Sequence, residues 1–205
     1  SWRAVEISED GWKVIDDCPV RFKRSKNSLP LPIPIKGGEI DDLRPLINAT
    51  TEENWILVLA WLSQAFWCRG PFAHLYLRGT QGTAKSFMMM VLKSISDPSA
   101  AIKRRLPKSE RDASIALGSE AIPCFDNMSG INDQMADLLC VASTGGVSTQ
   151  RALFTDDEEA VIPIKCPIIA NGIEDLGQRG DLLDRTIVLD LEPISEENRR
   201  TEEEI

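Results

Sequence analysis

The chain has 205 residues, 42% of them hydrophobic, and a formal net charge of −9; that is enough apolar material for one well-buried domain with an appended segment, and so acidic a balance argues against a general nucleic-acid coat protein, so that contact with DNA or RNA would need a local basic patch inside an oligomer. The five cysteines, Cys18, Cys68, Cys124, Cys140 and Cys166, form no C-x-x-C pair, which suggests neither a zinc site nor a disulfide framework and fits buried thiols in a reducing cytoplasm. No apolar run approaches the ~20 residues that span a bilayer and no signal peptide is visible, so a cytoplasmic protein without a membrane partner is expected.

In chain order, residues 1–40 read as a β-rich, extended segment. Val5 and Ile7 alternate with polar residues, Glu9-Asp10-Gly11 is a turn, and Trp12, Val14 and Ile15 follow, which predicts a hairpin. Pro30, Pro32 and Pro34 alternate with Leu31, Ile33 and Ile35 and predict an extended edge segment. Arg21, Lys23, Arg24 and Lys26 read as a solvated basic loop. Residues 41–70 form a helical lead-in: a short helix over 43–48, then a long one opened by a Thr50/Glu53 capping box and carrying Trp55, Leu59, Leu62 and Phe66 at helical spacing.

Residues 71–192 alternate strand and helix. The apolar run Ala73–Leu77 leads into Gly79-Thr80-Gln81-Gly82-Thr83-Ala84-Lys85-Ser86, and Phe87 continues into a helix that Asp97-Pro98 breaks. A second short strand is expected at Ala100–Ile102, followed by a basic cluster of Lys103, Arg104, Arg105 and Lys108, and a helix from Ser109. Further strands are expected over 121–125, 167–171 and 186–191, with a helix over 132–141 and a β-hairpin of 149–154 and 159–164 turning at 155–158. A short helix or loop spans 175–183, and a polar helix starts over 193–205. The abrupt ends suggest a piece of a longer protein. The alternation predicts a parallel α/β sheet with ligands at the C-terminal strand ends.

Three of those ends are polar: Gly79–Ser86, Asp126-Asn127 and Asn171. Strand, glycine-bearing loop and helix make a phosphate-binding loop, with backbone N–H groups from Gly79 to Phe87 turned toward phosphate oxygens. Lys85 would reach the β- and γ-phosphates of ATP, and Ser86 would ligate Mg²⁺. Ala84 replaces the second glycine of the usual G-x-x-x-x-G-K-[ST] pattern, and its methyl group is expected to require negative φ. Asp126 would orient a water of the Mg²⁺ shell. Asn127 stands where many ATPases place a glutamate; an amide orients a water but takes no proton. Asn171 would touch the γ-phosphate or the attacking water, or else form a turn with Gly172. Arg179 and Arg185 would either enter a neighbouring subunit's site as arginine fingers or pair with Asp181 and Asp184 on the surface.

Together, Gly79–Ser86, Asp126-Asn127, Asn171 and Arg179 with Leu183-Asp184-Arg185 resemble the Walker A, Walker B, sensor 1 and arginine-finger elements of AAA+ P-loop ATPases. The hairpin before the sensor strand resembles that of superfamily 3 helicases and of phage and plasmid primase-helicases. The text around Asp126 and Asn171 is similar to bacterial ATP-binding proteins carried by mobile elements. The resemblance implies a five-stranded AAA+-like sheet, a homo-oligomeric hexameric ring with ATP between subunits, single-stranded DNA in the pore, and a primase or other replication protein as a further partner. Its acidic hairpin tip, Asp156-Asp157-Glu158-Glu159, is a departure, because DNA would be repelled there. Arg151 or the Lys103–Lys108 cluster suits DNA better. Three readings follow: a DNA motor, an ATPase that remodels a protein partner, and a nucleotide-gated scaffold with weak hydrolysis.

Overall fold

The structure is a computed structural model that describes residues 3–22, 24–67, 69–151, 159–176, 179–195 and 197. At the N-terminus β1 (Ala4–Ser8) and β2 (Gly11–Ile15) form the expected antiparallel hairpin, with Ser8 opposite Gly11. Gly11 takes φ 117°, a turn conformation that glycine adopts without strain. The Pro30–Ile35 stretch forms no strand. It is tied to the rest of the chain just ahead of it, where Leu29 N–H donates to Pro98 O at 2.8 Å and Ala100 N–H to Asn27 O at 2.9 Å.

The short helix of the lead-in is a 3-10 turn, Ile40–Leu46, because Pro45 inside it has no N–H to give to an α-helical ladder. Then α1 (Glu52–Trp67) begins one residue later than the capping box predicted: Thr51, not Thr50, accepts from Asn54 N–H at 3.1 Å. Its buried face is Trp55, Val58, Trp61 and Leu62, while Phe66 lies on the exposed side. Trp61 Nε1 donates to Ala73 O at 3.0 Å, which fixes the helix beside the first core strand.

Among the described residues the core sheet has four parallel strands: β3 (His74–Arg78), β4 (Cys124–Phe125), β7 (Ile169–Gly172) and β8 (Thr186–Asp190), in the order β4-β7-β3-β8. The fifth strand expected at Ala100–Ile102 is not there. The contact with β4 comes two residues beyond that run, as one parallel bridge between Arg104 and Phe125. Helices α2 (Lys85–Ser96), α3 (Glu110–Ser119), α4 (Asp133–Thr144) and α5 (Gly180–Leu183) complete the α/β pattern. The hairpin pairs β5 (Gly146–Arg151) with β6 (Glu159–Ile164) and starts three residues earlier than its alternation suggested; the tip at 155–158 and the final polar helix fall outside the described residues.

Strand alternation divides the core. Leu75 and Leu77 point to one face, against Met88, Met89 and Leu92 of α2 and Trp55, Val58, Trp61 and Leu62 of α1. Tyr76 points to the other, with Phe125, Ala170, Leu117 and Leu139. Burial pushes the Cys124 and Cys166 thiols up to about 12, as expected of inert core cysteines.

His74, the chain's single histidine, is 1% exposed at the start of β3. Its Nε2 donates to Leu139 O at 2.8 Å and its Nδ1 accepts from Ile168 N–H at 3.3 Å, which defines a neutral ring. Burial lowers its pKa to about 4. The unfolded chain therefore takes up a proton first. The stability this neutral ring contributes is complete above the ordinary histidine pKa of about 6.5 and is lost as pH falls toward 4, by about 3 kcal/mol in all. Urea titrations across that window are expected to show a steeper pH dependence for the native chain than for His74→Gln; equal slopes would count against the assignment.

Candidate active site

The site begins where β3 ends. Arg78 hands the chain to the loop Gly79–Ala84, and α2 starts at Lys85. Gly79 admits no side chain, since a Cβ there would lie 2.8 Å from Thr83 Oγ1 and 2.9 Å from Leu191 O. Gly82 takes φ 85° and Ala84 φ 54°, ψ 26°. Ala84 is therefore left-handed, and the expected negative φ is corrected. The loop must reverse into the helix within one residue, and alanine accepts that turn at a cost of roughly 1 kcal/mol. No side chain caps the start of α2, so the cap residue offers no side-chain acceptor to its first N–H groups.

Lys85 folds back over the loop. Its Nζ donates to Gly79 O and Thr80 O, both at 2.6 Å, with Thr83 Oγ1 at 3.4 Å. Partial burial lowers its pKa, and the Asp126 carboxylate opposes that shift. The next residue points across the sheet: Ser86 Oγ donates to Asp126 Oδ1 at 2.9 Å. Asn171 Nδ2 donates to the same oxygen at 2.7 Å. So the three polar strand ends singled out in the sequence meet at one carboxylate oxygen.

Asn171 is 1% exposed, and its amide is used in full. Its Oδ1 accepts Asn127 N–H at 2.8 Å, and its backbone O accepts Met128 N–H at 2.8 Å. These bonds hold Asn127 at φ 55° with its side chain exposed. Gly172 follows because a Cβ there would come within 2.5 Å of Met128 O, and closer still to the hydroxyl of Tyr76. Its carbonyl accepts Gly79 N–H at 3.2 Å, which joins the loop to the end of β7.

Two supports were not visible in the sequence. Asn48 Nδ2 donates to Thr83 O at 3.0 Å and to Glu192 O at 2.8 Å, propping the loop from the lead-in segment. Arg78 pairs with Asp190 and Asp175, tying β8 to the segment after β7. An asparagine 35 residues ahead of its partner leaves no periodic trace. Arg78 looks like any strand-end cation.

The remaining candidates lie elsewhere. Phe87 is half-buried on α2. Arg179 is held by Asp133 at 3.2 Å and Asp137 at 2.5 Å, both on α4, and by Asp181 at 2.8 Å; these hydrogen bonds raise its pKa further. Arg185 Nη1 donates to Asp181 O at 2.5 Å. Among the described residues neither arginine bonds to the loop, Asp126 or Asn171 of its own chain. In the basic cluster Lys103, Arg105 and Lys108 are exposed, whereas Arg104 turns inward onto Phe125 and Ala116 O. The Arg151 side chain lies outside what the structure describes.

Ser86 Oγ and Asp126 Oδ1 are hard oxygen donors at a glycine-lined loop, a set that suits Mg²⁺. No group of three or more histidine, cysteine or acidic side chains that could hold a metal occurs among the described residues. A metal here would take few protein ligands and complete its shell with phosphate oxygens and water, which is how Mg²⁺ is commonly bound.

Parallel strands with a lysine-bearing loop and a serine–aspartate pair at their ends define a P-loop protein of helicase-like fold. Residues 40–205 match the family of the Actinomycete integrative conjugative element replication protein, and the chain belongs to that family. Among solved structures, the JCV helicase matches with a TM-score of 0.51 at 10% identity, over 74% of this chain and 44% of that one. The apo NrS-1 C-terminal region matches with a TM-score of 0.50 at 18% identity, over 83% and 42%. The fold thus agrees with the resemblance to superfamily 3 helicases, and the chain spans less than half the length of either solved chain. No curated protein matches in sequence. No helix among the described residues is long and apolar enough to cross a membrane.

Proposed function

We propose that this chain is the ATPase core, residues 71–192, of a replication motor that binds ATP and Mg²⁺ at the Gly79–Ser86 loop and moves single-stranded DNA through a homo-oligomeric ring. One observation carries the reading: Ser86 and Asn171, from different elements, both hydrogen-bond Asp126 Oδ1 beside the loop lysine. Mg²⁺ would supply charge neutralisation at the phosphates, held by Ser86 Oγ and, through water, by Asp126.

In this reading Lys85 exchanges the carbonyls of Gly79 and Thr80 for phosphate oxygens. Asn171 fixes the carboxylate of Asp126 and the backbone of Asn127. Asn127 orients the attacking water and takes no proton. Arg179 acts in the neighbouring subunit's site, and to do so it exchanges its three carboxylates for phosphate. Arg185 steadies that turn through Asp181 O. A ring of six copies accords with this division of labour. Residues 1–40 and 41–70 then serve as an appended segment and a lead-in that props the loop, and a primase or other replication protein is a further partner. A second reading, a nucleotide-gated scaffold with weak hydrolysis, draws support from Asn127 in place of a glutamate and from the carboxylates that occupy Arg179. A third, an ATPase acting on a protein partner, draws on the acidic residues 156–159.

Steady-state ATP hydrolysis with and without single-stranded DNA separates them. For the motor, turnover is expected to rise with DNA and to fall back at high salt. Arg179→Ala is expected to retain ATP binding and lose turnover, and mixing it with Asp126→Ala subunits should restore part of the activity, because mixed interfaces contain intact sites. No recovery at any mixing ratio argues against a shared site, and nucleotide-dependent assembly without turnover argues for the scaffold.

A further inference from the structure

The edge of the core sheet carries a feature that the nucleotide site does not use. Residues 103–105 run extended beside β4, and their side chains alternate: Lys103 and Arg105 are exposed, while Arg104 is turned in. The inward arginine is clamped. Its guanidinium lies 5.5 Å over the ring of buried Phe125, Nη2 donates to Ala116 O at 3.0 Å, and Glu120 Oε1 is 3.3 Å away. Glu120 is in turn held by the buried Lys93, whose Nζ donates to its Oε2 at 2.9 Å. The Arg104 backbone is engaged as well, because its carbonyl accepts Asp126 N–H at 2.8 Å.

This alternation places two cations on one outward line, roughly 7 Å apart for extended chain, and exposed Lys108 follows. In a chain of net charge −9 such a local excess is the kind of patch that meets a phosphate backbone. Of the acids that come next, Asp112 is engaged in starting α3, where Ser109 Oγ accepts its N–H at 3.1 Å and donates to its Oδ2 at 2.7 Å, while Glu110 is exposed in the first turn of that helix.

We propose that Lys103, Arg105 and Lys108 form the surface that holds the phosphodiester backbone of single-stranded nucleic acid, and that its occupancy is read at Asp126 through the backbone bond to Arg104. The line of cations, rather than a broad basic face, favours a single strand over a duplex. The proposal rests on the motor reading above and locates its DNA contact. It links that contact to the acidic residue of the nucleotide site by one hydrogen bond.

The test uses the whole chain and its Lys103→Ala/Arg105→Ala variant, with a labelled oligothymidylate as the probe and a duplex of the same length as control. Both changed residues are exposed and outside the nucleotide site, so ATP turnover without DNA should stay the same. Binding of the oligothymidylate is expected to weaken at least about tenfold, and the slope of log affinity against log salt to shrink by about 1.4, the loss of two phosphate contacts. In the native chain without nucleotide, the oligothymidylate should also slow amide exchange in the peptide that contains Asp126, and in the variant it should not. An unchanged affinity and salt slope overturns the surface, as does preference for the duplex. Unchanged Asp126 exchange in the DNA-bound native chain overturns the link. If the variant loses a salt-labile self-association yet still binds DNA, the partner is a second copy and the proposal fails. A native chain that binds the oligothymidylate but turns over no ATP would count against the motor reading alone.

Discussion

Lys85→Ala is expected to lose ATP turnover by at least about 10²-fold, the scale on which a single charge-stabilising contact acts in a catalytic site. The structure sets the lysine over the loop, with Nζ on Gly79 O and Thr80 O. Those two bonds are the position it vacates when phosphate oxygens arrive. Burial has already lowered its pKa, so its charge is poorly solvated and gains from an anion at short range. The substitution also frees two loop carbonyls, at a cost near 1 kcal/mol because the site is open to water. For a chain of this size that is a melting shift of about 2–4 °C. A small melting shift with abolished turnover and weakened binding of a fluorescent ATP analogue is the expected pair of results. Turnover close to the native rate would remove the loop from the active site.

The largest expected effect on stability lies at the other end of the same helix. Lys93 on α2 is fully buried, and all three of its protons are used, on Asp97 Oδ2 at 2.7 Å, Glu120 Oε2 at 2.9 Å and Ile122 O at 2.8 Å. Lys93→Met removes the positive charge and leaves Glu120, 3% exposed, with Arg104 as its remaining cation among the described residues. Breaking one partner out of a buried pair costs about 3–5 kcal/mol, since the remaining charge is neither hydrated nor compensated. Against a total stability of about 5–15 kcal/mol this is large, and roughly 10 °C in melting temperature is expected. Adding Glu120→Gln should recover part of the loss, because the stranded charge is removed. Differential scanning calorimetry of the single and double variants decides the matter. If the two losses simply add, Lys93 and Glu120 are not the pair the distances indicate.

Both predictions concern α2, yet only one was legible beforehand. The run from Leu75 to Leu92 declares itself in sequence because strand, loop and helix are consecutive. Each has its own local signature: a short apolar run, glycines, then a helical apolar period. Asp126 and Asn171 were legible for a related reason, since each follows an apolar run and a parallel sheet places its polar ends at one edge. Lys93 sits on that helical stretch, and nothing local in the sequence says that Glu120 and Ile122 O close over it.

The same divide runs through the rest of the chain. Four of the core strands, the start of α2 at Lys85 and Ser86, and the polar strand ends at Asp126 and Asn171 follow from residue order, because propensity and periodicity act over a few neighbours. Partner choice does not. Asn171 spends its amide on Asp126 and Asn127, partners that no local pattern in the sequence names. Arg104, the middle of a basic run, turns inward because Phe125 and Glu120 offer it a place. Ala84 becomes left-handed where the loop, held by Gly172 and Asn48 through Gly79 and Thr83, turns into α2. Ala100–Ile102 fails as a strand because β4, only two residues long, has no more edge to offer. Each of these was decided by contacts between residues distant in the chain, and those exist only once the sheet has brought them together.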